Sequence, residues 1–444
     1  MKAPQDTIAA IATAAGLGGI GIIRLSGPEA EAILRQVFRP AGHREDPFRS
    51  HVMTYGFLTD GEETLDEGMA VVMRAPRSYT REDVAELHLH GGAWILHRGL
   101  ELCLRQGARL AEPGEFTRRA FLNGRIDLSR AEAVMSLISA RGEQERKAAM
   151  RQLSGGTESF IRQAADELYL LQAGLAACID YPEEVSDEEG VASLRPGIEK
   201  LIRTLRGAMD ERASRLLRDG LRVALIGRPN VGKSSLLNAL LGEEKAIVTP
   251  IPGTTRDLVE GELLLSGIRV LLTDTAGLRD TDDPVEKIGV DRSRQARDRA
   301  DLVLLVLDGS EPLTDEDRRL LASGPDAVLL NKADLPATLK REEIPAQHVL
   351  SVSARAPESL APVKAFLSRQ AEISPGLLTQ PRHLEAAGRA IRSLEDALET
   401  LRHFTPDMAA TDLQAAQKAL AEITGDQADE KLLDAVFSHF CVGK

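Results

Sequence analysis

Apolar and polar positions along the chain change period several times, and each change marks a different kind of element. In the first 120 residues, short β-like runs at 19–25, 69–74 and 84–90 mix with helical stretches at 29–37 and 93–106, which predicts an α+β unit. The uncharged stretch 8–23 superficially resembles the apolar core of a secretory signal. Asp6 precedes it, glycines interrupt it and Arg24 follows, so a β-hairpin is the better expectation. From 128 to about 178 the period becomes helical, with Leu128, Ala131, Val134, Met135 and Ile138 at three- and four-residue steps. A second helical block covers 195–218, and the acidic, proline-containing stretch 181–190 between the two reads as a solvated loop.

At Leu221 the pattern changes again. Apolar runs at 223–226, 270–273, 302–307, 328–330 and 349–352 alternate with helix-like segments, as in a parallel α/β sheet. After about Pro375 helical periodicity returns through Leu384, Ile391, Leu394, Leu398 and Leu401, then over 413–423 and 432–440. The expectation is an N-terminal α+β domain (1–120), a helical domain built from 121–217 and 375–444, and an α/β domain inserted at 218–374. Such a unit has neighbouring termini, which makes the insertion feasible.

Composition narrows the picture. With 444 residues, 43% hydrophobic and 28% charged, the chain is neither disordered nor collagenous, and no run approaches the ~20 apolar residues of a membrane span. A net charge of −13 disfavours a protein that coats polyanions, yet residues 1–130 carry 16 Lys and Arg against 17 Asp and Glu, so a local RNA contact remains compatible. Cys103, Cys178 and Cys441 are few and odd in number, as expected in the reducing cytoplasm rather than in a disulfide framework. Cys441 stands fourth from the end as prenylation requires, but Gly443 and Lys444 suit that signal poorly.

The most specific chemistry follows the apolar run 223–226. Gly227-Arg228-Pro229-Asn230-Val231-Gly232-Lys233-Ser234, continuing into Ser235 and an apolar helix start, is a phosphate-binding loop in its required strand-to-helix context. Its glycines let backbone N–H groups curl around phosphate oxygens, Lys233 reaches the outer phosphates and Ser234 offers a hydroxyl to Mg2+. Further stations follow in order: Thr254-Thr255, Asp274-Thr275-Ala276-Gly277, Asn331-Lys332-Ala333-Asp334 and Ser353-Ala354-Arg355.

In these stations the chain resembles the GTP-binding proteins. The resemblance makes Thr255 the switch threonine that completes the Mg2+ shell, Asp274 a holder of that shell from the opposite side, and Gly277 a backbone donor to the γ-phosphate. Base choice has a chemical argument: the Asp334 carboxylate only accepts, and guanine presents an N–H and an amino group side by side where adenine does not. Ser353-Ala354 would offer a backbone N–H to the guanine carbonyl, with Asn331 and Lys332 bracing the loop.

Hydrolysis departs from the small signalling GTPases, because Leu278 stands where they carry the water-orienting glutamine. Asp280, Asp282, Asp283 and Glu286 are all candidates for that task on residue type alone. Extra positive charge at the phosphates could come from Arg228 or Arg256. The alternative is K+ held by the Asn230 amide and by carbonyl oxygens of Thr249-Pro250-Ile251-Pro252-Gly253-Thr254.

Over its length from Asp6 onward the chain resembles the tRNA modification GTPase MnmE (TrmE) family. The resemblance is carried by Gly18-Gly19-Ile20-Gly21-Ile22-Ile23-Arg24-Leu25-Ser26-Gly27-Pro28, by 78–92, by the long stretch Pro113-Gly114-Glu115-Phe116 through Leu128, and by the ending Cys441-Val442-Gly443-Lys444. It implies an N-terminal domain that dimerises and binds a tetrahydrofolate derivative, the 5-formyl or 5,10-methylene form, with Arg24, Glu86, Arg125 and Lys444 at that site. Many relatives have lysine where Arg125 stands. Val285-Glu286-Lys287-Ile288-Gly289 matches the motif of the family's catalytic glutamate, which selects Glu286. The family pattern also places K+ with Asn230, Thr249, Ile251 and Thr254.

As a whole the resemblance implies a homodimeric, K+-activated GTPase. With an FAD-dependent partner, MnmG (GidA), it would build an aminomethyl or carboxymethylaminomethyl group on the tRNA wobble uridine. A ribosome-assembly RNA-binding GTPase and a folate-dependent aminomethyl transferase with a regulatory GTPase are the competing readings. Cys441 is a candidate functional thiol. His88 and His90 share one side of a strand but have no evident further metal ligands nearby.

Overall fold

The computed structural model describes residues 5–42, 46–181, 187–242, 261–274, 299–373, 376–403 and 405–443. The chain forms two compact units, one of Met1–Ile138, Arg151–Leu205 and Glu385–Lys444, the other of Ser139–Met150 and Arg206–Leu384.

In the first unit the strands are β1 (Ile8–Ile11), β2 (Gly18–Ser26), β3 (Phe38–Pro40), β4 (Thr54–Asp60), β5 (Glu63–Met73), β6 (Val84–Gly91) and β7 (Arg109–Leu110). Among the described residues they form one sheet in the order β3-β4-β5-β6-β2-β1-β7. β1 and β2 pair antiparallel, so the stretch 8–23 is the expected hairpin. Alternation puts Ile23, Leu25, Leu87 and Leu89 on a face covered by the helices Ala30–Val37 and Ala93–Arg105, which contribute Ile33, Leu34, Leu96 and Leu102 to a shared core. By the same period Arg24, Glu86 and His88 fall on the opposite face.

The helical part of this unit packs the helix Pro406–Thr424 along the helix Gly156–Asp180. Near its end, Leu433, Phe437 and Phe440 close over Leu128 and Ala131. The helix Asp187–Ala208 begins inside the stretch expected as a loop and carries Pro196 in its interior, so both expected limits, 190 and 195, were set too late. Asp187, Glu188 and Glu189 read as solvating charge but equally favour the first turn of a helix. The block expected at 195–218 also breaks, within the second unit, at Asp210, whose side chain accepts from Ala213 N at 2.8 Å and starts a separate helix, Glu211–Asp219.

The second unit is built on β8 (Leu221–Ile226), β9 (Gly261–Leu265), β10 (Ile268–Asp274), β11 (Leu302–Asp308), β12 (Ala327–Asn331) and β13 (Val349–Ser351), in the order β13-β12-β11-β8-β10-β9. Both faces are buried: Leu304 and Val306 enter one core while Leu305 and Leu307 enter another. That double burial is why the run reads as continuously apolar. The sheet is parallel except at one edge, where β9 pairs antiparallel with β10. Sequence reasoning missed β9. Its signal is the Ser266-Gly267 turn, where both residues have positive φ (51° and 75°), as a tight hairpin requires.

The protein therefore combines an N-terminal α+β domain, a helical domain from two chain segments and an inserted P-loop α/β domain.

Candidate functional sites

The phosphate-binding loop connects β8 to the helix Lys233–Gly242, with Asn230 at φ 63° and Gly232 at φ 94°. A Cβ on Gly232 would lie 2.4 Å from Asn331 Nδ2, so only glycine lets the loop meet the Asn331 side chain. Asn331 Nδ2 donates to Val231 O at 2.8 Å, which ties the guanine-side loop to the phosphate loop.

Lys233 is buried, and its Nζ donates to Gly227 O (2.6 Å) and Arg228 O (2.7 Å). Burial pushes its pKa below the ordinary lysine value, while the charges of Asp274 and Glu316 oppose that shift. The Ser234 hydroxyl donates to Asp274 Oδ2 at 2.5 Å, bringing the loop hydroxyl and the strand-end carboxylate together. Two hard oxygen donors side by side fit Mg2+.

On the base side Ser353 Oγ donates to Asp334 Oδ1 at 2.6 Å, and this hydrogen bond holds the Asp334 carboxyl below the ordinary aspartate value. Ala354 N lies 3.3 Å from Asn331 Oδ1, and Arg355 N donates to Ser353 Oγ at 3.2 Å. Ala333 N donates to Val352 O, joining the two loops through their backbones. The structure adds residues that sequence reasoning missed. Asp308 takes the ammonium of Lys332 at 2.5 Å, and Ser359 Oγ accepts from Ser353 N at 2.8 Å. Asp308 ends a strand just as Asp274 does, which is the signal that points to it.

Arg228 is paired with Asp317 at 2.9 Å and Glu311 at 3.5 Å, which argues against its use as a finger on the phosphates. Thr249, Pro250, Ile251, Pro252, Gly253, Thr254, Thr255, Arg256, Thr275, Ala276, Gly277, Leu278, Asp280, Asp282, Asp283 and Glu286 lie outside the described residues.

In the first unit Arg24 and Glu86 stand opposite each other on β2 and β6, with Arg24 Nε donating to Glu86 Oε1 at 2.8 Å. Tyr79 and Phe116 flank the guanidinium, their ring centroids 5.7 and 5.8 Å from Arg24 Cζ. Burial works to raise the Glu86 pKa, but hydrogen bonds from His88 and Arg24, with the Arg24 charge, hold it below the ordinary value. His88 hydrogen-bonds with Glu86 (3.0 Å) and His90 with Asp66 (2.6 Å), so the two imidazoles serve different carboxylates. Among the described residues no group of three or more His, Cys, Asp or Glu is placed to hold a metal.

Arg125 donates to Tyr79 O at 2.8 Å and stacks on the Tyr79 ring, 4.7 Å from its centroid. The Tyr79 hydroxyl hydrogen-bonds with Thr117 (2.9 Å). Nearby, fully buried Arg119 bonds Asp6, Glu82 and Glu115, fixing the loop that carries Tyr79.

The chain end docks here as well. Gly114 N donates to Cys441 O at 3.3 Å, and Gly443 (φ 93°) passes so close to β1 that a Cβ would meet Ile11 O at 2.4 Å. Lys444 is outside the described residues, while Cys441 is exposed. All three cysteines are free thiols, and burial pushes the Cys103 thiol up to about 12. No helix among the described residues is long and apolar enough to cross a membrane.

A strand, a phosphate loop, a hydroxyl beside a strand-end carboxylate and a base bracket built on Asp334 together define a P-loop GTPase. The profile described as the N-terminus of the GTP-binding protein TrmE matches residues 7–125, and that of the MnmE helical domain matches residues 128–441. Three curated relatives carry the name tRNA modification GTPase MnmE. The protein of Streptococcus thermophilus is 45% identical over 452 residues, covering 99% of this chain and 98% of its own. That of Heliobacterium modesticaldum is 44% identical over 463 residues, covering 99% of both chains. That of Symbiobacterium thermophilum is 48% identical over 460 residues, covering 99% of this chain and all of its own. The chain belongs to the tRNA modification GTPase MnmE family.

Proposed function

We propose that this GTPase acts in modification of the tRNA wobble uridine. It would hydrolyse GTP when two nucleotide domains pair, and work with the FAD-dependent partner MnmG to add an aminomethyl or carboxymethylaminomethyl group. The domain assignment that goes with this reading is 1–120 for folate binding and dimerisation, 121–217 with 375–444 for the helical domain, and 218–374 for GTP hydrolysis. The observation that carries it is that one chain holds both a guanine-nucleotide bracket and a cross-strand Arg24–Glu86 pair with the chain end docked beside its sheet.

In the nucleotide site, the buried ammonium of Lys233 would donate to the outer phosphate oxygens. Ser234 and Asp274, with Thr255, are the residues that would hold Mg2+, which supplies positive charge to the phosphate oxygens. Asp334 accepts from the guanine N–H groups, since an ionised carboxylate offers only acceptors. Glu286 orients the attacking water. Asn230, with Thr249, Ile251 and Thr254, would hold K+, which supplies the electrostatic stabilisation that an arginine gives in other GTPases. In the first unit a bound tetrahydrofolate derivative supplies a one-carbon unit. Glu86, with Arg24 paired to it, would accept from the pterin N–H groups, while Arg125 and Lys444 would hold its carboxylates.

Phosphate release from the purified protein in K+ and in Na+ tests the hydrolysis half, with faster turnover in K+ expected; equal rates remove the cation. Nucleoside mass spectrometry of tRNA from cells lacking the protein tests the other half. An unmodified wobble uridine is expected, and a normal one favours a ribosome-assembly GTPase.

A further inference from the structure

Among the described residues five non-glycine positions have positive φ: His51 (64°), Arg81 (61°), Asn230 (63°), Ser266 (51°) and Lys332 (63°). Backbone strain of this kind persists where surrounding structure enforces it, and it gathers at functional sites. Asn230 and Lys332 belong to the nucleotide site, and Ser266 makes the β9–β10 turn. The remaining two, His51 and Arg81, line the same open cavity of about 490 Å3, together with Arg77, Ser78, Tyr79 and Arg125. That volume falls within the range of roughly 300–1,000 Å3 usual for small-ligand sites.

The cavity is cationic and its charges are uncompensated. Elsewhere in this unit Arg24, Arg35, Arg74, Arg98, Arg109 and Arg119 are each matched to carboxylates. Among the described residues no ion pair engages Arg77, Arg81 or Arg125. Arg81 donates to Asn123 O (3.0 Å) and Arg125 to Tyr79 O (2.8 Å), bonds that aim the side chains without neutralising them. Tyr79 joins this cavity to the Arg24–Glu86 pair, since its ring lies near both Arg24 and Arg125.

The geometry points to a subsite for an oligoanionic tail that extends from the ligand held at Arg24 and Glu86: the γ-linked polyglutamate chain of a tetrahydrofolate. This inference rests on the folate reading above. Each added γ-glutamyl unit carries one more carboxylate, and guanidinium groups recognise carboxylates through paired N–H donors. An RNA backbone fits less well, because it requires a basic stripe and residues 1–130 carry no net positive charge.

The test compares binding of 5-formyltetrahydrofolate as mono-, tri- and pentaglutamate to the full-length protein by calorimetry, at low and high salt. The wild type is expected to bind the pentaglutamate about tenfold more tightly than the monoglutamate, with the gain shrinking in high salt. Arg77→Ala/Arg81→Ala is expected to remove that gain while monoglutamate affinity stays the same. Arg77→Glu, at an exposed side chain, guards against misfolding and is expected to remove the gain as well. Equal wild-type affinity for all three chain lengths overturns the subsite while leaving the folate reading standing; no binding of any form overturns the folate reading itself. Variants that lose tRNA affinity but keep the chain-length gain also overturn the subsite, and assign the cavity to RNA.

Discussion

The two candidate sites are built in opposite ways. The nucleotide site is assembled largely from backbone: a loop bent through Gly232, an amide of Asn331 holding Val231 O, and a Lys233 that rests on loop carbonyls. The site on β2 and β6 is made of side chains brought together across a sheet from positions 24, 79, 86, 116 and 125. The difference teaches what each tolerates. A backbone site fails when one residue alters the loop, whereas a side-chain site loses one contact at a time.

The largest expected effect is on the nucleotide side. Lys233→Ala removes the buried ammonium of the phosphate loop and is expected to lower GTP turnover by at least ~100-fold in a phosphate-release assay, with 5-formyltetrahydrofolate affinity unchanged. A parallel loss of folate binding would show the two regions to be one cooperative site. Asp334→Asn removes an acceptor that only guanine can satisfy, with an expected weakening of GTP by ~100-fold. The same variant is expected to gain affinity for xanthosine triphosphate, whose ring carries a carbonyl where guanine has its amino group.

On the sheet side the losses are smaller. Arg24→Ala leaves Glu86 with His88 alone and is expected to weaken the folate about tenfold without changing GTP affinity, as calorimetry would measure. Gly443→Ala forces a Cβ against Ile11 O at positive φ, so the tail lifts and folate affinity drops a few-fold, on the order of 1 kcal/mol. The pH profile is the mildest probe. Glu86 sits below its ordinary value of 4.5, so its contribution is fully present above that value and is lost only as pH falls through the lowered one. Folate affinity is therefore expected to stay flat from neutrality down to about 4.5; a decline beginning well above that value would show that Glu86 is not the group that governs the site.

The same contrast explains what the sequence made legible. Lys233, Ser234, Asn331 and Asp334 sit in contiguous motifs because a loop of fixed backbone shape needs neighbouring residues of fixed type, so spacing alone exposes them. Arg24 and Glu86 become partners only through strand register, and nothing in their local spacing announces it; the resemblance to a family supplied that pair. Tyr79 and Phe116 frame the guanidinium through their rings, which only the fold brings to it. Among the elements, β11 was plain because both its faces are buried. β9 was missed because a half-buried edge strand alternates weakly and its turn is marked only by Ser266-Gly267.

The tail bound along β1 has a bearing on biosynthesis. A ribosome completes the first sheet early, then must make the whole nucleotide-binding insertion before Cys441 and Gly443 emerge to seat themselves against Gly114 and Ile11. The contacts of Cys441 and Gly443 with Gly114 and Ile11 thus form only after the insertion has been made. A translation product arrested before that point would carry the first sheet without the segment that closes against β1.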